Sequence, residues 1–331
     1  MKRRTFLAAL AAAATPALLR PPPPLAGDPS VLTLAGAGPE GRWFTEVSQF
    51  GKILTREIPR LSVNGVIGKG VSVGNIKRIA AGNVEGGRFY VFDLESAHAN
   101  RGPFATGSYD NVVVWMKLGV HQFRVIARSG IDRFSDLRGR TVAIGVRGGG
   151  DDLLALRILG GYGLDESNTR FQFVARSDGQ EALANGQIDA IAYAYARNNR
   201  GHLGPIFAAR RIGEDVDFVA PDDDRNEAFL AADRAFFLDT LGEPAFGRPN
   251  LKGIAFHQGM AIDRRLSEGL VHRMTKVIYE NWDEMLNGAP WWNAPGEATL
   301  ESGPGITTVP YHPGAARYFQ ERGVWSRYHQ D

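Results

Sequence analysis

The chain has 331 residues, 44% hydrophobic and 22% charged, ordinary for a folded globular protein and long enough for two domains. It has no cysteine, which excludes disulfides, thiolate nucleophiles, thiolate metal ligands and a lipid-modified cysteine. The net charge of +2 arises in residues 1–27, which carry Lys2, Arg3, Arg4 and Arg20 and no acid; the remaining 34 basic and 36 acidic residues form no like-charge block, so a nucleic-acid or anionic-membrane partner is not expected.

The opening MKRRTFLAALAAAATPALL places its basic residues ahead of an alanine-rich run too short and too weakly apolar for a stable membrane span. It reads as an export signal, and Arg3-Arg4 followed by Thr5, Phe6 and Leu7 fits the twin-arginine type. Arg20 and Pro21 to Pro24 form a stiff spacer, so residues 1–27 are set apart and the mature protein is expected in the periplasm. An uncleaved anchor is the alternative.

Apolar runs and their punctuation predict a strand at 31–35, a helix at 43–57 ended by Pro59, and a strand at 61–67. A glycine turn then leads to a short helix at 75–81 and a strand at 88–93, RFYVFD. Strand, glycine turn and helix in alternation predict a parallel sheet covered by helices. After VVVWMKLG and a strand at 121–129 the pattern restarts: TVAIGV, the turn RGGGDD, and the helix LLALRIL closed by Gly160 and Gly161. Strands at 171–175 and 188–196 follow, separated by a helix around EALANG. A strand at 253–262, a helical stretch through EGLVHRMTKVIYENWDEML and a last helix in YHPGAARYFQERGVW complete the chain. With no third sheet to join, the late helices are expected to pack on the first unit. The chain then crosses between units near 121–135 and 250–262, which makes a hinge, with 28–135 and 253–331 in one lobe and 136–252 in the other.

Gly36, Gly38 and Gly41 fit G-x-G-x-x-G between a strand and a helix, the setting of a dinucleotide fingerprint. An exported NADP-dependent oxidoreductase is therefore one reading, supported further only by Lys69. Against it, 61–70 offers no acid for the ribose, and Trp43 and Phe44 would obstruct a pyrophosphate at the helix start. Gly70-Val-Ser72-Val-Gly74 fits G-x-S-x-G, yet no oxyanion segment or spaced Asp and His accompanies it, and Ser72 reads more simply as a helix cap. The seven histidines show no metal-ligand spacing, and Asp222 to Asp224 read as a solvated turn. Gly148, Gly149 and Gly150 precede a helix, whose first residues Asp151 and Asp152 either cap it or meet a cationic ligand group.

Five stretches in order, AGAGPEGRWF, KGVSVGN, DLRGRTVAIGVRGGGDD, GQIDA and HPGAARYF, resemble the TAXI family of solute-binding subunits of tripartite ATP-independent periplasmic (TRAP) transporters. The resemblance implies an α/β fold of the type II periplasmic-binding-protein class, two α/β lobes joined by crossing hinge strands and closing on a small solute. It implies a receptor without enzymatic activity or cofactor, monomeric, whose partner is a membrane-embedded TRAP permease or, alternatively, a sensor protein. On this resemblance Gly38, Glu40, Trp43 and Phe44 belong to the first ligand loop, Lys69, Ser72 and Asn75 to the second, and Arg147, Gly149, Gly150, Asp151 and Asp152 to the loop of the second lobe. Known ligands of the family are mostly small organic acids and amino acids. Here Glu40, Asp93, Glu95, Asp151 and Asp152 add negative charge near the cleft, so a cationic or zwitterionic ligand is a serious option unless Arg42, Lys69 or Arg147 turn inward. Tyr193 and Tyr195 supply a stacking wall for it, or else divide between core and solvent.

Overall fold

The computed structural model describes residues 28–39, 42–148, 150–196, 216–240, 252–288 and 308–325. The expected export segment at 1–27, Glu40 and Gly149 lie outside the described residues. The strands are β1 (Val31–Ala35), β2 (Ser62–Val66), β3 (Gly86–Tyr90), β4 (Val112–Arg128), β5 (Thr141–Ala143), β6 (Arg170–Gln172), β7 (Ala190–Ala196), β8 (Val216–Val219), β9 (Phe236–Thr240) and β10 (Lys252–Asp263). The helices are α1 (Arg42–Glu57), α2 (Val71–Ala80), α3 (Val91–His98), α4 (Asp151–Gly161), α5 (Arg176–Ala184), α6 (Asp223–Ala232), α7 (Glu268–Glu280), α8 (Trp282–Gly288) and α9 (Pro313–Glu321).

The strands join in the order β2-β1-β3-β10-β4-β7-β5-β6, with β8 on β4 and β9 on β10. β1 pairs in parallel with β2 and β3, and β5 pairs in parallel with β6 and β7, so the repeated α/β unit is present twice. Between them β4 and β10 run antiparallel from Val112↔Asp263 to Phe123↔Ile254. β10 meets β3 through 258–262 and β9 through 252–256, while β4 meets β7 through 121–127. Each long strand thus has neighbours from the first unit at one end and from the second at the other. These are the two crossings, and they form the hinge.

Local sequence accounts for the main elements. In α1 the buried residues Trp43, Val47, Phe50 and Leu54 recur at three- and four-residue spacing, a single apolar stripe laid on the sheet. β4 is rich in β-branched and aromatic residues and is buried on both faces over most of its length. One core joins β1, the start of β4 and the late helices through Val271, Met274, Ile278, Tyr318 and Phe319, so those helices do return to the first unit. The HPGA stretch is what fixes the last of them: buried His312 accepts from the Gly314 amide at 3.1 Å through Nδ1, and its Nε2 lies 3.1 Å from the Leu266 carbonyl, with Pro313 at the helix start.

Three local expectations are corrected. β3 ends at Tyr90, and FDLESAH continues as α3, which carries Asp93 and Glu95 on a helix. α2 begins at Val71, so Ser72 lies inside the helix and makes no cap. Asp222 to Asp224 open α6 and are no solvated turn; the Asp222 carboxylate accepts from the Ser135 amide at 3.0 Å and from its hydroxyl at 2.5 Å, a tertiary partner that local sequence does not announce.

The indole of Trp115, fully buried in β4, donates to Thr275 Oγ1 of α7 at 2.9 Å. Thr275→Val strands that donor in the core. Urea denaturation is expected to show a loss of about 1–3 kcal/mol with an unchanged slope.

Candidate ligand-binding site

Open α/β sheets bind ligands beyond the carboxyl ends of their parallel strands, where helix starts and loops leave polar backbone exposed. In the first lobe that place is held by the loops after β1 and β2. A Cβ on Gly36 would stand 2.6 Å from the Trp43 carbonyl oxygen, so only glycine lets the first loop lie on the start of α1. Asn75, fully buried, donates its amide to the carbonyls of Ala35 at 3.3 Å, Gly36 at 2.8 Å and Arg88 at 3.0 Å, fastening both loops to β3. Opposite them, Asp152 accepts from the amides of Gly148 at 2.6 Å and Gly150 at 3.1 Å, bracing the loop before α4. The lips approach each other where Val71 faces Gly150. Val71 is β-branched at φ 47°, next to Gly70 at φ 72°, which marks the first lip as strained.

Behind these loops lies a set of buried cationic and aromatic side chains. Arg88 on β3 has no exposed surface; it pairs with Glu46 of α1 at 2.8 Å, donates to the Gly259 carbonyl at 3.1 Å and to the Gln258 amide oxygen, and lies 5.1 Å from the Trp43 ring. Trp43 donates to the same Gln258 oxygen at 3.1 Å and meets Tyr90 edge-on at 4.8 Å. Tyr90 in turn packs on His121 of β4 at 5.6 Å and on Phe256 of β10 at 5.1 Å. From the second lobe, Arg176 pairs with Asp151 at 2.7 Å and spreads over Tyr193 and Tyr195 at 5.2 and 4.9 Å, with 39% of its side chain still open.

The titrating groups report this field. Burial and then the charges of Arg88, Arg42, Arg176 and Arg124 hold His121 well below the usual histidine range, so it is neutral. Burial pushes Tyr90, Tyr193 and Tyr195 up, so they stay neutral hydrogen-bonding groups. The Nδ1 of His121 and the hydroxyl of Tyr193 are buried with no hydrogen-bond partner among the described residues. The charges of four guanidinium groups bear on this one neutral imidazole, and two of the four, Arg88 and Arg176, pair with Glu46 and Asp151. Among the described residues no group of His, Asp and Glu is placed to hold a metal ion.

A family model described as the NMT1-like family matches residues 34–323. The chain belongs to the NMT1-like family. XAC2383 from Xanthomonas citri bound to ATP superposes with a TM-score of 0.54 at 12% identity, over 90% of this chain and 98% of that one. The same protein bound to chloride ion gives 0.52 at 11% identity over the same shares. A looser likeness, TM-score 0.45 at 13% identity over 91% and 96% of the two chains, is to the alkanesulfonate-binding protein SsuA from Xanthomonas axonopodis pv. citri bound to MOPS. The fold of this NMT1-like protein is the two-lobed type II periplasmic-binding-protein fold.

In this NMT1-like chain Gly38, Trp43, Phe44, Gly150 and Asp151 lie on the two glycine loops and the helix starts that follow them, and Tyr193 and Tyr195 lie buried on β7 beneath Arg176. Trp43 and Asp151 are already engaged, and a side chain on Gly38 would meet nothing within 4 Å. Tyr193 and Tyr195 are both buried on one face, because residues two apart on a strand share a face, so they do not divide between core and solvent. Lys69 is exposed on the second loop. Arg147 points away to Glu166 at 3.0 Å and stacks 3.5 Å from the Phe173 ring. Ser72 is buried and accepts from the Tyr90 amide at 2.9 Å, which leaves no nucleophile elbow. Glu95 instead accepts from the amide and hydroxyl of Thr308, and Asp93 faces a separate cavity. Sequence reasoning missed Arg88, Tyr90, His121, Arg124 and Arg176. A signal for three of them existed, since Arg88, His121 and Arg124 are ionisable residues in strands that are mostly apolar and buried.

The Asp152 carboxylate holds loop amides and does not face the cleft. Asp152→Asn is therefore expected to lower stability by about 1–2 kcal/mol in urea denaturation and to leave the preferred charge of the ligand as it was.

Proposed function

We propose that the protein is a solute receptor that captures a small anionic compound between its lobes and, once closed, is recognised by a membrane-embedded permease. The observation that carries this reading is Arg176, which lies at the start of α5, pairs with Asp151 and keeps 39% of its side chain open, while Arg42, Arg88 and Arg124 add their charge to the field acting on buried His121. In a partly desolvated place guanidinium groups favour carboxylate, sulfonate or phosphate oxygens, which they can grip in pairs. The acids that argued for a cationic ligand are engaged elsewhere: Asp151 with Arg176, Asp152 with its loop, Glu95 with Thr308. Ligand bridging stabilises the closed arrangement, and binding with hinge closure is the whole mechanism, with no catalysis.

The lobes are taken as 28–135 with 253–331, and 136–252. Export through a twin-arginine signal would deliver the receptor to the periplasm as a monomer. A TRAP-type permease as the partner is supported by the five ordered motifs shared with TAXI subunits, and delivery to a sensor protein keeps the same binding step. The dinucleotide reading has less support, because Trp43 and Phe44 occupy the start of α1 and Gly36 serves close packing.

Native mass spectrometry of freshly exported protein, followed by identification of the small molecule released on denaturation, tests the reading. A negatively charged organic solute is the expected result, and its affinity should fall by about tenfold or more in Arg176→Gln, since one partner of a buried ionic contact is removed. Released NAD or NADP, or a cationic solute indifferent to Arg176, would overturn it.

A further inference from the structure

A second cavity, of about 350 Å³, lies on the flank of the molecule where α3 and α4 meet. Phe92 and Pro103 from the first lobe and Leu153 from the second make its apolar walls. Its charged groups are unequal. Asp233 is matched by Arg157, whose Nε lies 2.6 Å from it and whose Nη1 donates to Ser96 Oγ at 3.0 Å. Arg101 stands exposed at the rim. Asp93 also lines the cavity, is nine-tenths buried, and has no cation within ion-pair distance among the described residues. Burial pushes its carboxyl up to about 6, a rise opposed by a hydrogen bond with Ser72 and by the more distant charge of Arg157. The other titrating group nearby, Tyr90, is held neutral.

A carboxylate in so desolvated a place is costly until a cation joins it. We propose that this cavity is a second binding site, for a small organic ammonium compound whose charge pairs with Asp93 and whose short apolar stem packs on Phe92, Pro103 and Leu153. The site is spatially separate from the anion-binding cleft. Its walls come from both lobes, so an occupant also favours the closed arrangement and couples the two sites.

Isothermal titration of the full chain with n-butylammonium chloride, and with sodium butyrate as the opposite-charge control, tests this. One saturable site for n-butylammonium and none for butyrate is expected. The probe stays charged between pH 5 and 7, whereas Asp93 must be ionised to pair with it and is protonated below about 6, so the Kd should rise about tenfold from pH 7 to pH 5. Asp93→Asn should abolish binding, as should Leu153→Trp, which fills the cavity without touching the carboxyl group. The proposal is overturned by no saturable binding, by binding that ignores pH and both substitutions, or by butyrate binding in place of the amine.

Discussion

A guanidinium with no exposed surface must be neutralised where it stands, and the order of the cleft follows from that requirement at Arg88. Glu46 is drawn from α1 to pair with it, which fixes the entry of that helix over the sheet. Gln258 turns its amide oxygen toward Arg88, and the same oxygen receives the Trp43 indole at 3.1 Å. Trp43 then stands edge-on to Tyr90, and Tyr90 closes over His121. A single charge on β3 therefore orients a helix, an aromatic wall and a neutral imidazole. With α1 fixed, the first glycine loop has one way to run, against the carbonyl of Trp43.

The second constraint is the backbone ladder between β4 and β10. Because these strands pair along most of their lengths, the lobes share two continuous hydrogen-bonded segments, which permit bending but oppose free rotation. The ladder slips register between His257 and Gly259 and again between Met260 and Ala261, and Gly119 opposite adopts φ 102°. Bulges concentrate twist and bending at defined points. Neutral His121 and charged Arg124 lie just beyond this irregular stretch, so a change in lobe angle moves both side chains relative to Arg88 and Arg176. Ligand capture and hinge angle are coupled through the same few residues.

Much of the fold was legible because it rests on local periodicity: the apolar stripe of α1, the alternating strand and glycine turn, and the proline at the start of α9. The stretches that carried the resemblance hold residues with evident packing roles. Asn75 of KGVSVGN ties loop carbonyls together, Asp189 of GQIDA accepts from the Thr141 amide at 2.7 Å, and His312 of HPGA clamps a helix start. What escaped was set by partners distant in sequence. The acidic run at 222–224 became a helix start only because Ser135 receives Asp222, and FDLESAH continued as helix although its aromatic opening suggested a longer strand. Arg88 was hidden for the same reason, since nothing in its neighbours in sequence reveals Glu46.

The charge of the cleft shows why counting residues near a predicted loop misleads. By sequence the loops carry several acids and few bases, and the arithmetic favours a cation. In the folded chain most of those acids are neutralised at short range, Asp151 by a guanidinium and Asp152 by two amides, while Glu95 is bonded to Thr308. The arginines come instead from strands and helix starts outside the loops, and their charge adds to the burial of His121 in keeping it uncharged. Among the described residues Asp93 has no cation at ion-pair distance and lines a cavity of its own. The proposed anion-seeking and cation-seeking sites would thus lie a few residues apart on either side of Tyr90 and Phe92, whose rings stack at 5.4 Å.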